Sequence, residues 1–480
     1  MVLKRQYTHT KQRQESYYNP CTSALWSEVS GKHENLQSLS EAFLACDTPV
    51  MTVLPNSAGK YPEQKDLYTI PGLEVKKFLS KTGAATILYQ GKTINLYPLN
   101  IWFEIEPGAN LGQALKAKKK LQELLENAFQ PVGTHNNMRE RVPVPLVANP
   151  TQEGLMLLQH SLPYGQEYSC PSEFAEALSE FNLQGRIETF YHGQDNLDNL
   201  HYYDGRWMYA SCLRRVPVGP MLHDDEEAIL PYVPGFYRVL VEVPANWSHI
   251  GLFPLQQRDG SYQYPRKPGE NFLTWASSHE VALAVKHNWY VKVIERYLWP
   301  ETEKRPEPLK QWGEKLIKLR METVEAYPEP FRGMFREAIR KLMLQALGSF
   351  NRTGKEVDHY TQEIENLPED TTSELLLPGD IWKYTTYQDL TPFQSVFYMP
   401  HWIKCLWGES RKKLAEKALE IPFTKLVALR VDGIWSDCPA NYPDNGKVGQ
   451  FTRKPVKQST GLKWPHDTKA MVQLVQKVKG

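Results

Sequence analysis

The chain has 480 residues, 41% hydrophobic and 11% aromatic, with 56 Lys and Arg against 55 Asp and Glu. That composition excludes a disordered or low-complexity protein, and the length predicts roughly two to four structural units. With a net charge of +1, any basic surface for a polyanion must come from uneven distribution along the chain. Cys21, Cys46, Cys170, Cys212, Cys405 and Cys438 lie far apart, with no Cys-x-x-Cys pair. This spacing opposes both a zinc ribbon and a secreted disulfide framework, and points to free thiols in a reducing cytoplasm. No signal-length or membrane-length apolar run is present, so a cytoplasmic protein without membrane contact is expected.

Residues 1–65 are polar, with one short helix expected near Leu39–Cys46. Residues 66–108 alternate in the manner of strands, with a hairpin turn at Gln90-Gly91. Apolar positions along one side predict a helix over Leu111–Phe129. Its Lys116, Lys118, Lys119 and Lys120 form either a solvated face or a polyanion contact. A Pro- and Val-rich linker follows at Pro143–Pro150.

Beyond it the pattern predicts a helix at Ser172–Leu183 and strands at Ile187–Tyr191 and Leu200–Tyr203. A strand pair is expected at Phe236–Val243 and His249–Leu255. A helix then a strand follow over 274–298. Helices are expected at Leu309–Thr323 and Phe331–Ser349, separated by Tyr327-Pro328-Glu329-Pro330. A helix at Ser410–Glu420 leads into a strand at Lys425–Val431. The order is α+β, strands framing a long helical hairpin, and not a regular βαβ alternation.

Two apolar runs end on carboxylates, at Asp204 and at Asp432. Asp432-Gly433 alone is an ordinary hairpin turn signal, and Asp204-Gly205 is no more specific. Together, two carboxylates on neighbouring strand ends suit the hard divalent cations that assist phosphoryl transfer.

Their surroundings resemble the family-B DNA polymerases, particularly the protein-primed branch. Asp204-Gly-Arg-Trp-Met-Tyr209-Ala-Ser211 is similar to the first palm motif, and Arg215-Val-Pro217-Val-Gly219-Pro220 to the run that follows it. Gly185-Arg186 resembles a template-contact motif, and Tyr264 to Trp275 the palm segment before the fingers. Lys341-Leu-Met-Leu-Gln345 matches the first half of the finger-helix motif. Val431-Asp432-Gly433 stands for the third motif with only its second acid. The likeness covers about 180–460.

The resemblance implies a right-hand architecture of palm, helical fingers and reduced thumb. It places an N-terminal region of unassigned function at 1–150 and the palm at 151–300 and 361–445. The fingers fall at 301–360, and a short basic thumb or tail at 446–480. It implies template-directed DNA synthesis from dNTPs with two Mg²⁺ ions, or Mn²⁺. DNA primer-template is the expected partner, with a priming or accessory replication protein besides.

Asp204 and Asp432 would be the metal ligands and catalytic carboxylates, joined by the Gly205 carbonyl. Tyr209 would lie under the incoming sugar. Arg340, Lys341 and Gln345 would meet the triphosphate, and Gly185, Arg186, Arg453, Lys454 and Lys457 the nucleic acid.

Three departures stand out. Arg430 occupies the place of the third motif's first acid, on the same strand face as Asp432 by period-2 alternation. Gln345 replaces an Asn, and Gly348-Ser349 stand where Tyr-Gly is expected. Phe103-Glu104-Ile-Glu106 is the nearest approach to a proofreading exonuclease motif and has no downstream acidic partners, so no proofreading is expected. From 446 onward, eight Lys and Arg face the single acid Asp467, interleaved with Phe451 and Trp464. Such a segment suits either a phosphate-backbone groove or a soluble basic tail. A catalytically degenerate, polymerase-derived nucleic-acid-binding protein is the alternative reading.

Overall fold

The structure is a computed structural model that describes residues 73–79, 84–89, 91–96, 102–103, 111–129, 150–163, 168–178, 184–258, 260–351, 354–361, 373–376, 381–389 and 398–478. The expected helix near Leu39–Cys46 and the acids Glu104 and Glu106 lie outside the described residues. The chain divides into two compact units, residues 1–162 with 312–397, and residues 163–311 with 398–480. The segment expected as one second palm portion, 361–445, is therefore split between them.

The first unit carries a six-stranded antiparallel sheet built from β1 (Leu73–Leu79), β2 (Ala84–Tyr89), β3 (Lys92–Leu96), β13 (Gly354–Thr361), β14 (Ser373–Leu376) and β15 (Ile381–Asp389). Their order is β14-β15-β13-β1-β2-β3. The β2–β3 hairpin closes at Tyr89↔Lys92, with Gly91 at φ 78° as such a tight turn requires.

Helices α1 (Leu111–Ala128), α2 (Pro150–Ser161), α5 (Lys310–Ala326) and α6 (Phe331–Ser349) belong largely to the same unit. One stripe of α6, including Phe335, Ile339, Leu342 and Ala346, is buried at helical spacing. Gly154 of α2 lies against the Leu342 carbonyl with no room for a Cβ, and its own carbonyl accepts from Trp312 Nε1 at 3.1 Å. Of the α1 lysines, Lys118 is neither solvated nor open to a polyanion. It is fully buried, 3.1 Å from the equally buried Glu153 and 3.6 Å from the Trp102 ring centre.

The second unit contains α3 (Ser172–Ala177), α4 (Ser278–Lys286), α7 (Pro400–Ala418) and α8 (Thr468–Val478). Its five-stranded sheet runs β18-β6-β17-β16-β4. These strands are β4 (Ile187–Thr189), β6 (His201–Gly205), β16 (Leu426–Arg430), β17 (Gly433–Ser436) and β18 (Phe451–Lys454). A four-stranded sheet runs β11-β8-β12-β7, from β7 (Leu222–Asp224), β8 (Gly235–Glu242), β11 (Asn271–Ser277) and β12 (Tyr290–Leu298). Two short pairs complete it, β5 (Asn196–Leu197) with β19 (Leu462–Lys463) and β9 (Leu255–Gln256) with β10 (Tyr262–Gln263).

The main core lies between the two larger sheets. Tyr203, Leu429, Ile434 and Phe451 meet Tyr237, Val239, Val241 and Val293, with Val281 of α4 and Leu414 of α7. A register shift between Leu426 and Ala428 lets β16 serve both faces of its sheet. Val427, Ala428 and Trp435 face a second cluster with Trp464, Met471, Leu474, Val475 and Val478.

Two sequence expectations change here. Residues 249–254 form no ladder with β8, whose partners are β11 and β12. Their apolar pattern instead buries Ile250, Leu252 and Phe253 in the main core. Helix α7 begins ten residues before the expected Ser410, because His401–Leu406 is buried almost all round and shows no amphipathic period. The 446–480 segment, expected as a basic thumb or tail, supplies the edge strand β18 and the helix α8. Helix α8 covers the sheet with Met471, Leu474, Val475 and Val478, and Asp467 Oδ1 accepts from the Ala470 N–H at 2.7 Å. Among the described residues, no helix is long and apolar enough to cross a membrane.

Candidate active site

Strand β6 lies between β17 and β18, and its Asp204 pairs with Gly433 on one side and Thr452 on the other. Strand β16 turns into β17 with Arg430 opposite Gly433, so Val431 and Asp432 form a two-residue turn. The Gly205 N–H donates to the Asp432 carbonyl at 2.8 Å. The two expected carboxylate residues thus meet at one corner of the sheet, joined through the backbone.

That corner is conformationally constrained. Val431 adopts φ 57° and Trp207 φ 53°, a region that a β-branched residue in particular avoids. Val431 is held there by its N–H bond to the Arg186 carbonyl at 2.6 Å. Its methyls lie so near Gly185 that a Cβ on Gly185 would come within 3.2 Å of Cγ1. Beyond Asp204, Arg206 exchanges backbone bonds with Gln450 (2.8 Å) and Gly449 (2.6 Å), fixing the loop that precedes β18. Gly449 is at φ 85°, against Ser211.

The side chains form a mixed-charge cluster. Tyr202 Oη donates to Asp204 Oδ1 at 2.9 Å, while Lys454 Nζ lies 3.9 Å from Asp204 Oδ2. Burial, then the charges of Asp204 and Asp432, push the Tyr202 hydroxyl well above the usual phenol range. Burial first and Asp432 second do the same to Tyr209. The Gly205 carbonyl accepts from the Met208 N–H at 3.2 Å.

Gly185, Asp204, Gly205, Tyr209, Asp432 and Lys454 are therefore gathered at or beside this corner. Other expected site residues are placed differently. Arg186 is buried, donating to Glu188 and to the Gly251 carbonyl with its guanidinium 3.9 Å over the Tyr264 ring, so it braces the loop and does not face a nucleic acid. Arg453 alternates to the strand face opposite Lys454 and is exposed, as is Lys457.

Arg340, Lys341 and Gln345 lie on α6, in the other unit. Arg340 binds Glu337 through two nitrogens at 2.9 and 2.7 Å, and Lys341 Nζ is 3.8 Å from the same carboxylate. Gln345 Oε1 accepts from Thr151 at 3.2 Å. Sequence reasoning missed Tyr202, although its place two residues before Asp204 on one strand was the available signal. The Arg206–Gly449 lock had no local signal.

As a donor set for divalent cations, the corner offers two carboxylates and one carbonyl. Among the described residues no group of three or more His, Cys, Asp or Glu side chains is placed to hold a metal. One or two protein carboxylates are what Mg²⁺ takes when substrate phosphates and waters complete its shell. The residues present fit that mode of binding.

The described fold is α+β with antiparallel sheets, and it is similar to that of phi29 DNA polymerase. The solved structures it resembles include phi29 DNA polymerase complexed with primer-template DNA and incoming nucleotide substrates. That likeness has a TM-score of 0.56 at 10% identity, over 90% of this chain and 80% of that one. An orthorhombic crystal form of phi29 DNA polymerase gives 0.56 at 12%, and the same polymerase with single-stranded DNA gives 0.53 at 11%. Both cover the same shares of each chain. At these identities the likeness is one of fold. No protein-family model and no curated protein sequence matches the chain.

Proposed function

We propose that this chain is a template-directed DNA polymerase, a nucleotidyltransferase that extends a primer 3′-hydroxyl with dNTPs and does not proofread. The observation that carries the reading is the pairing of Asp204 with Gly433, which brings Asp204 and Asp432 to one sheet corner. The fold likeness to phi29 DNA polymerase supports it.

In the reaction the primer 3′-oxygen loses its proton and bonds to the α-phosphorus, while the bond to the pyrophosphate oxygen breaks. Asp204, Asp432 and the Gly205 carbonyl would hold two Mg²⁺ ions, or Mn²⁺. Bound there, such ions lower the hydroxyl pKa and offset the triphosphate charge. Tyr209 lies under the incoming sugar, excluding a 2′-hydroxyl by contact. Gly185 gives the template strand close approach to the Val431-Asp432 turn. Lys454, beside Asp204, meets the primer terminus, and Arg453 and Lys457 meet backbone phosphates. For Arg340, Lys341 and Gln345 the triphosphate role rests on their motif alone.

Primer extension on a short DNA template tests this, first with Mg²⁺ and then with Mn²⁺. The expected result is synthesis by the wild type that is lost in Asp204→Ala and in Asp432→Ala. Synthesis undiminished in both variants would overturn the site. A second reading, DNA binding without catalysis, draws on the cations beside the carboxylates: Lys454 near Asp204 and Arg430 at the turn. It predicts salt-sensitive DNA binding with no synthesis under either metal.

A further inference from the structure

Tyr202 and Asp204 sit two residues apart on one face of β6, and the tyrosine hydroxyl donates to Asp204 Oδ1 at 2.9 Å. Three features fix where that hydroxyl goes. The Tyr202 ring stacks on Trp435, its partner in the β6–β17 ladder, with centroids 4.1 Å apart and planes 13° apart. Trp435 is itself 1% exposed, wedged into the cluster that α8 closes, so it offers a rigid platform. Beside the stack, the ring edge lies over Gly433. A Cβ there would fall 2.9 Å from Tyr202 Cε2 and 3.4 Å from Oη. A glycine beside Asp432 thus opens the space in which Tyr202 lies flat and reaches the carboxylate.

The two oxygens of Asp204 consequently have different neighbours. Oδ1 takes the hydrogen bond from Tyr202, and Oδ2 faces the Lys454 ammonium at 3.9 Å. Lys454 lies opposite Tyr202 on β18, so both arrive through the same rung of the sheet. A neutral donor on one oxygen of a carboxylate ligand fixes its rotamer without neutralising it, and such outer partners tune metal affinity by roughly 10–100-fold.

We propose that Tyr202 is a positioning residue: stacked on Trp435 and seated over Gly433, it orients the Asp204 carboxylate toward a divalent cation. The inference rests on the metal-ligand role proposed for Asp204. Tyr202→Phe keeps the stack and the glycine contact and removes only the hydroxyl, so the sheet is preserved.

The test is Mn²⁺ binding to the full chain, read from the free-Mn²⁺ paramagnetic resonance signal, for wild type, Tyr202→Phe and Asp204→Ala. The expected result is about tenfold weaker binding in Tyr202→Phe and loss of binding in Asp204→Ala. In primer extension, Tyr202→Phe should lower kcat while leaving the primer-template Kd unchanged. Wild-type Mn²⁺ affinity in Tyr202→Phe, with binding lost in Asp204→Ala, would overturn the positioning role and leave the metal site standing. Binding retained in Asp204→Ala would overturn the site and this inference with it.

Discussion

Val431 donates its backbone N–H to the Arg186 carbonyl at 2.6 Å while standing at φ 57°. A β-branched side chain in that region costs about 1–2 kcal/mol, and strain of this kind concentrates where a site over-determines its backbone. The turn holds Asp432, and the Arg186 bond is part of what keeps it there. Val431→Asn, which tolerates the left-handed region, is expected to stabilise the protein by about 1 kcal/mol, read as a shift in urea midpoint at constant slope. A loss of stability instead would mean that the Val431 methyls contribute more through packing near Gly185 than their conformation costs.

Arg411 and Glu280 form the buried ion pair that joins α7 to α4. Arg411 Nε and Nη2 lie 2.7 and 2.9 Å from the two Glu280 oxygens, and Nη1 donates to the Gln184 carbonyl at 2.7 Å, next to Gly185. Glu280 also receives the Ser277 N–H and hydroxyl, completing a capping box at the start of α4. Arg411→Met should destabilise the fold by about 3–5 kcal/mol, because it leaves a buried carboxylate without its cation. Adding Glu280→Gln should return part of that loss. Additive damage in the double variant, measured by denaturant unfolding, would argue against this coupling.

Burial holds two histidines neutral. It lowers His279 to about 4 and His401 to about 3, from an ordinary value of 6.5. Both folded values are depressed, so below pH 6.5 the unfolded chain binds protons that the folded chain refuses. Stability is then fully present above pH 6.5 and falls with acidification toward pH 4, at up to about 1.4 kcal/mol per pH unit for each histidine. His401 stacks on Trp299, with its Nδ1 buried and without a hydrogen-bond partner, so His401→Phe should keep the packing. Between pH 6.5 and 4 the variant should lose stability less steeply than the wild type; identical slopes would show that His401 does not titrate as argued.

Much of the second unit was legible in the sequence, and for a physical reason. Strand Gly235–Glu242 is dense in β-branched and aromatic residues, Leu426–Arg430 is a short apolar run, and the Asp204 and Asp432 strand ends stood out as carboxylates closing apolar runs. Hidden were the features that depend on distant partners. Helix α7 lacks a polar face at its start because several elements bury it, and residues 249–254 look like a strand because they are apolar, not because they pair. Arg186 reads as a template contact by its motif, yet Glu188 and Gly251 claim its guanidinium. Spacing alone places Tyr202 on the Asp204 face, but its seat on Trp435 and Gly433 shows only once β6 and β17 are in register, since those two come from more than 200 residues away.

Lys118 and Lys457, drawn from the two basic clusters of the sequence, are placed differently by the structure, and salt dependence should tell the two residues apart. Lys457 is exposed, and its N–H donates to the Val478 carbonyl at 2.9 Å, which fixes it between β18 and α8. Lys118 is fully buried against Glu153. A lysine that neutralises a duplex phosphate releases about one counterion, so Lys457→Ala should weaken DNA binding and reduce the slope of log K against log salt by about 0.9. Lys118→Met should leave that slope untouched and instead lower stability, since Glu153 would be left buried without its cation. Titrations of a fluorescent primer-template over a range of salt concentrations measure both. An unchanged slope in Lys457→Ala would remove Lys457 from the interface, and a changed slope in Lys118→Met would show that α1 opens to bind DNA.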